Sequence, residues 1–310
     1  MRIVFMGSAD LSCPSLDILL QSNKKVVGVV TQPNRPKGRN LKLTSSPVRV
    51  LAESRGIPVL TPEKINTPSS IADIISMAPD LVVVVAYGQI LRKEILQIPP
   101  KGCVNMHTSL LPKYRGAAPI QWAIANGDHL TGVTSMFMNE KMDAGDIIYQ
   151  KEVAISSDET GGSLHDKLAV EAALLLKETV ENMCSGAVPK CSQNESDVTL
   201  APKLNKKDGK INWTSSSDKI YNRIRAFNPW PCGYCEVGVE PGSLLRILKS
   251  RIETAHGAPG QIMDVGVDGP LVACGNGGVR LLQVQPEGRR VMSGADYLRG
   301  HSVKVNDILN

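Results

Sequence analysis

The chain has 310 residues, of which 42% are hydrophobic and 21% charged, and it carries a formal net charge of +5. That composition is ordinary for a globular protein, and the length suits one domain of about 200 residues with a smaller one behind it. No apolar run approaches the roughly 18 residues a membrane span needs, "MRIVFMG" starts as a strand without a leader, and seven scattered cysteines read as reduced thiols rather than a disulfide framework. A soluble, cytoplasmic protein is expected.

In chain order, the short apolar runs "RIVFMG", "VVGVVTQ", "DLVVVVAYG" and "GCVNMH" alternate with helix-like stretches such as "SLDILLQS" and "APIQWAIANG". Val/Ile runs bounded by Gly or Pro and separated by helices predict a doubly wound, mostly parallel α/β sheet of Rossmann-like type. Ligands bind such sheets beyond the carboxyl ends of the strands, where strand order reverses. "AYGQIL" at 86–91 and "NMHTSLLP" at 105–112 are two such ends. "GVTSMFMNEKMDAGDIIYQ" predicts two strands joined by a turn with Asp143, Ala144 and Gly145 at its tip. "SLHDKLAVEAALLLKETVENM" has the spacing of a long helix, and the polar stretch after it reads as a linker. The expected domains are 1–190, a linker over 191–205, and 206–310. In the last, one helix-like run precedes short β runs separated by Gly, which predicts a small OB-like β-barrel.

The charge is unevenly spread. Residues 206–310 carry 14 Lys/Arg against 10 Asp/Glu, giving +4. Between Asp17 and Glu53 there is no acid, while Lys24, Lys25, Arg35, Lys37, Arg39, Lys42 and Arg49 all fall there. "RPKGRNLK" has the Pro and Gly of a loop, and such a stretch can meet phosphates.

Residues two apart on a strand share a face, so Asn105 and His107 can aim at one atom. Cys103 lies on that face too, but roughly 13 Å from His107, beyond reach of a thiol–imidazole pair. The five histidines form no H-x-x-x-H or H-x-H spacing, and Cys232 with Cys235 is a lone C-x-x-C, so no metal is expected. One glycine in "MGSADLSCPS" argues against a dinucleotide fingerprint. Transfer of a small acyl group to a substrate amine needs no protein nucleophile, only donors for the developing oxyanion and a group to manage the proton. Asn and imidazolium are such donors, and a nearby Asp would favour the charged ring. Taken alone, a turn-capping Asn105 and a satisfied interior His107 fit the stretch as well. Trp213, Phe227 and Trp230 read as core anchors.

"NMHTSLLPKYRGAAPIQWAI", "VVVAYGQIL" and "MDAGDI" together resemble folate-dependent formyltransferases, in their N-x-H with S-L-L-P-x-Y-R-G, their folate-pocket loop and their aspartate segment. "TQPNRPKGRNLKLTSSPVRVLAE" and "DGKINWTSSSDKIYNRIRAFNPWPCGY" are similar to the inserted basic loop and second domain of the members that formylate a charged tRNA. The resemblance implies a transfer from 10-formyltetrahydrofolate to the α-amino group of initiator methionyl-tRNA, in a bacterial cytoplasm, by a monomer without metal. It implies that Asn105 and His107 stabilise the formyl oxygen and that Asp143 assists proton transfer. Ser109, Leu110, Leu111 and Pro112 would line the folate site, Ala86, Tyr87, Gly88 and Gln89 would contact the pteridine, and Arg35, Lys37, Arg39 and Lys42 would meet tRNA phosphates. "GSADLSCPS" departs from the T-P-x-F-A usual after the first strand, and "PWPCGYC" carries two unusual cysteines. A sugar-nucleotide amine is the alternative acceptor, and a catalytically dead RNA-binding protein is a third reading.

Overall fold

The computed structural model describes residues 1–37, 42–237 and 243–310. These form two compact units, one of Met1–Pro119, Leu130–Ala154 and His165–Ala201, the other of Ile120–His129, Ile155–Leu164 and Pro202–Asn310.

The first unit is built on seven strands: β1 (Arg2–Gly7), β2 (Lys25–Val30), β3 (Val59–Leu60), β4 (Leu81–Val85), β5 (Cys103–His107), β6 (Leu130–Phe137) and β7 (Ile147–Ala154). Their order is β7-β6-β5-β4-β1-β2-β3. Pairs from β3 to β5 are parallel, whereas β6 runs antiparallel to both β5 and β7. The chain moves outward from β1 through β2 to β3, then returns to β1's other side with β4, so strand order reverses between β1 and β4. At that reversal Ser8 Oγ donates to the Tyr87 carbonyl at 3.1 Å. Ile3–Met6 and Leu81–Val85 are buried, because a sheet covered on both faces has no wet side and tolerates Val and Ile at every position. Prolines open the helices Pro47–Ser54 and Pro68–Ser76, and the Ser46 and Thr67 side chains accept from Arg49 N and Ser70 N, satisfying N–H groups that the helix leaves free.

The second unit holds β8 (Gly233–Glu236), β9 (Leu244–Glu253), β10 (Ile262–Gly266), β11 (Gly269–Ala273), β12 (Gly278–Pro286) and β13 (Met292–Ser293). They form one antiparallel sheet in the order β8-β9-β12-β11-β10, with β13 on β12. This arrangement is consistent with a small barrel. Leu309 bridges to Val237 beyond β8 and Ile308 to Gln261 before β10, so the last residues cover backbone that two edge strands would otherwise expose. Trp213, Ile220, Ile224, Leu245, Ile247 and Val284 fill its core.

The sequence boundaries at 190 and 206 do not follow these units. Residues 120–129 join the second unit because Trp122 meets the Phe227 ring edge-on at 5.9 Å and donates to Pro202 O at 2.8 Å. Residues 193–201, expected as linker, belong to the first, where Leu200 and Ala201 pair with Arg115 and Gly116. Trp213 and Phe227 are buried as expected, but Trp230 is 51% exposed and is no core anchor. Among the described residues no helix is long and apolar enough to cross a membrane.

Candidate active site

Strand β5 brings Asn105 and His107 to its carboxyl end, in register with Met136 and Thr134 of β6. They are 9% and 7% exposed. The Asn105 amide has no hydrogen-bond partner among the described residues, although buried amides usually have one. His107 Nε2 lies 2.9 Å from the Tyr114 carbonyl. A carbonyl only accepts, so Nε2 carries the proton and Nδ1 is the atom left for chemistry. Nδ1 faces Asp143 Oδ1 at 3.8 Å, longer than a hydrogen bond but close enough for strong charge attraction once the ring is cationic.

Asp143 sits in the turn between β6 and β7 with φ of 51°. Its Oδ2 accepts from Gly116 N at 2.9 Å. A Cβ at Gly116, whose φ is 127°, would lie 2.5 Å from the Ala201 carbonyl oxygen, so only glycine permits this strip to approach Asp143 and Ala201 together. His107 and Asp143 are therefore brought together by β5, the 114–116 strip and the β6–β7 turn, while Asn105 lies two residues before His107 on β5 and so shares its face.

The turn after β5 is fixed from within. Ser109 is buried and its hydroxyl donates to Lys113 O at 2.6 Å. Leu111 is buried as well, its N–H donating to Thr134 Oγ1 at 3.1 Å, while Gln150 Nε2 donates to Leu111 O at 2.9 Å. Leu110 and Pro112 retain exposed surface, so of these four they can offer apolar contact to a ligand. In the loop after β4, Ala86 and Gly88 are exposed with φ of 45° and 88°. Tyr87 instead buries its ring in the core with its hydroxyl unpartnered among the described residues, and burial raises its pKa. Gln89 uses its side chain internally, accepting from Ile65 N at 2.9 Å and donating to Pro62 O at 3.3 Å. Tyr87 and Gln89 thus shape the loop, the Tyr87 carbonyl also accepting from Ser8 Oγ at 3.1 Å and Gln32 Nε2 at 3.2 Å, and Ala86 and Gly88 are left exposed beside them.

Cys103, the first residue of the same strand, is buried with its sulfur against the Ile95 and Leu96 carbonyls, and burial pushes its thiol up to about 12. Cys232 and Cys235 are buried free thiols, with desolvation raising both. Among the described residues no group of three His, Cys, Asp or Glu side chains is placed to hold a metal.

In the basic segment Arg35–Lys37 pairs antiparallel with Lys42–Thr44, Lys37 opposite Lys42. Arg35 is exposed and ion-paired with Glu63 at 2.8 Å, and Arg49 with Glu53 at 2.7 Å. Folding thus returns acids to a stretch that has none along the chain. Arg39 and the side chains of Lys37 and Lys42 lie outside the described residues.

The supports had little signature in the sequence: Tyr114, Arg115, Gln193 and Thr199 hold His107 and the Asp143 loop, and only the R-G at 115–116 carried a local signal.

Residues 1–180 match the formyl transferase family and residues 203–302 the formyl transferase C-terminal domain. The methionyl-tRNA formyltransferase of Geobacter metallireducens is 44% identical over 97% of this chain and 96% of its own length. That of Myxococcus xanthus is 45% identical over 97% and 96%. Among solved structures, the N-formyltransferase from Helicobacter canadensis, in complex with folinic acid and dTDP-3-aminofucose, superposes with a TM-score of 0.64 at 19% identity over 90% of this chain and 97% of its own. HypX from Aquifex aeolicus in complex with tetrahydrofolic acid gives 0.61 at 16% identity over 96% and 47%.

Proposed function

Because the chain belongs to the formyl transferase family, we infer that it transfers a formyl group from 10-formyltetrahydrofolate to the α-amino group of methionyl-initiator tRNA. The observation that carries this reading is full-length similarity, at 44% identity, to an enzyme that formylates that acceptor, joined to an Asn–His–Asp cluster suited to acyl transfer. The sugar formyltransferase fold is shared at only 19% identity.

The acceptor amine is the nucleophile. As it adds to the formyl carbon, negative charge develops on the formyl oxygen; the bond to the folate nitrogen then breaks, that nitrogen taking up a proton as the amine gives one up. The Asn105 amide, without a hydrogen-bond partner among the described residues, donates to that oxygen. His107, with Nε2 committed to Tyr114 O, offers a protonated Nδ1 as the second donor. Donors aimed where charge develops stabilise the transition state more than the ground state. Asp143, with Oδ2 tied to Gly116 N, keeps Oδ1 for the imidazolium and for the proton that leaves the amine. The folate would lie against Leu110 and Pro112 with its pteridine edge on the loop at Ala86 and Gly88, a fit supported by the exposure of those two residues.

The tRNA backbone would meet Arg35, Lys37, Arg39 and Lys42. Such contacts position a nucleic acid without reading its sequence, and make affinity fall with salt.

The test offers the purified full chain 10-formyltetrahydrofolate with either methionyl-initiator tRNA or a nucleotide-linked amino sugar. Formylmethionine recovered from the tRNA, with a rate that falls as salt rises, is expected. Formylation of the sugar amine alone would overturn the assignment.

A further inference from the structure

The segment that follows the long helix Gly161–Ser185 grips the loop bearing Asp143. A non-glycine residue at φ of 51° sits in a sparsely populated backbone region and persists only where its surroundings hold it. Gln193 does the holding. Its Nε2 donates to the carbonyls of Asp143 at 2.9 Å and Gly145 at 2.8 Å, using both N–H groups. Its Oε1 accepts from Arg115 Nε at 3.0 Å and Nη2 at 2.8 Å. A guanidinium only donates and carbonyls only accept, so the amide can face one way alone. Arg115 is buried, and Glu195 covers its outer side at 3.0 Å. The next residue, Gly116, binds the Asp143 carboxylate, which closes a ring through Arg115, Gln193 and Asp143.

The same segment holds His107 through its partner. Thr199 Oγ1 accepts from Tyr114 N and Thr199 O from Arg115 N, both at 2.9 Å. These fix Tyr114, at φ of 63°, with its carbonyl on His107 Nε2.

We propose that Gln193 is a positioning residue for formyl transfer, setting the Asp143 carboxylate against His107 by tying the Asp143 loop to Arg115. This rests on the role given to Asp143. Because a displacement of about 1 Å in a reacting group can cost about 10²-fold in rate, Gln193 acts without touching substrate.

The experiment compares full-length parent, Q193M, Q193E, D143N and Q193M/D143N. Q193E keeps an acceptor for Arg115 but sets an oxygen against two carbonyls, so it breaks the loop side alone. Q193M and Q193E should each lower kcat about 10- to 100-fold, with both KM values within about threefold of the parent. In the D143N background Q193M should add almost nothing, because residues acting through one group are not additive; a merely structural role would multiply the loss in both backgrounds. Should Q193M fail to fold, Q193E decides. Slow D143N with Gln193 variants near parental kcat, or with fully multiplicative losses, overturns this proposal alone. D143N as fast as the parent overturns it together with the role of Asp143.

Discussion

Replacing Asn105 with Ala separates transition-state stabilisation from folding. Polar-to-Ala changes in a buried site usually destabilise by about 1–3 kcal/mol, because the former partner is left stranded. Asn105 has no partner to strand among the described residues, and its backbone pairing with Val84 and Met136 does not involve the side chain. The unfolding midpoint should therefore move by less than about 3 °C. Catalysis should suffer far more, since loss of one oxyanion donor costs about 10²- to 10³-fold in kcat, or about 2.7–4 kcal/mol. Steady-state formylation at saturating folate and Met-tRNA, run beside thermal unfolding, reads both quantities. An N105A enzyme that keeps more than about a tenth of the parental kcat refutes the donor role, as does one whose activity disappears only because its midpoint has collapsed.

In the second unit, hydrogen bonds from Arg280 first, and from Arg251, lower the Glu253 carboxyl to about 2. A depressed carboxylate contributes stability above its ordinary value of 4.5, lost as pH falls through about 2, so E253Q should lower the unfolding midpoint at pH 7 and converge with the parent near pH 2; parallel curves down to that pH would contradict the assignment. Burial pushes Cys103, Cys235 and Cys274 up to about 12, whereas Cys184 and Cys191 are exposed. Iodoacetamide at pH 8 should therefore label the exposed pair first and spare turnover, as mass spectrometry beside an activity assay would show; early labelling of Cys103 with loss of turnover would restore the thiol mechanism. R39A/K42A should raise KM for Met-tRNA, leave KM for folate unchanged, and flatten the salt slope by up to about two charges; identical slopes would remove this segment from the tRNA interface.

What was legible in the sequence is what local pattern encodes. Unbroken Val/Ile runs announced strands covered on both faces, and the period of two placed Asn105 and His107 side by side at one strand end. The turn tip likewise announced Asp143. The supports were hidden because they come from far along the chain: Gln193 is 78 residues from Arg115 and 50 from Asp143, inside a polar stretch that looks like linker. Pairing of Leu200 and Ala201 with Arg115 and Gly116 has no signature in so short a run. Glu63, beyond the acid-free stretch, returns to Arg35 because folding, not sequence distance, decides which charges meet. Trp230 resembled a core anchor by type alone, since composition does not say which side of a loop an indole takes.

In the proposed mechanism His107 stabilises transfer to Met-tRNA through Nδ1, its other nitrogen being held by Tyr114 O. Single-turnover formylation of methionyl-initiator tRNA by parent and H107A, with tRNA affinity measured in parallel, reads that role. A transfer step slower by at least about 10²-fold at unchanged tRNA affinity is expected; a near-parental rate would remove His107 from the chemistry.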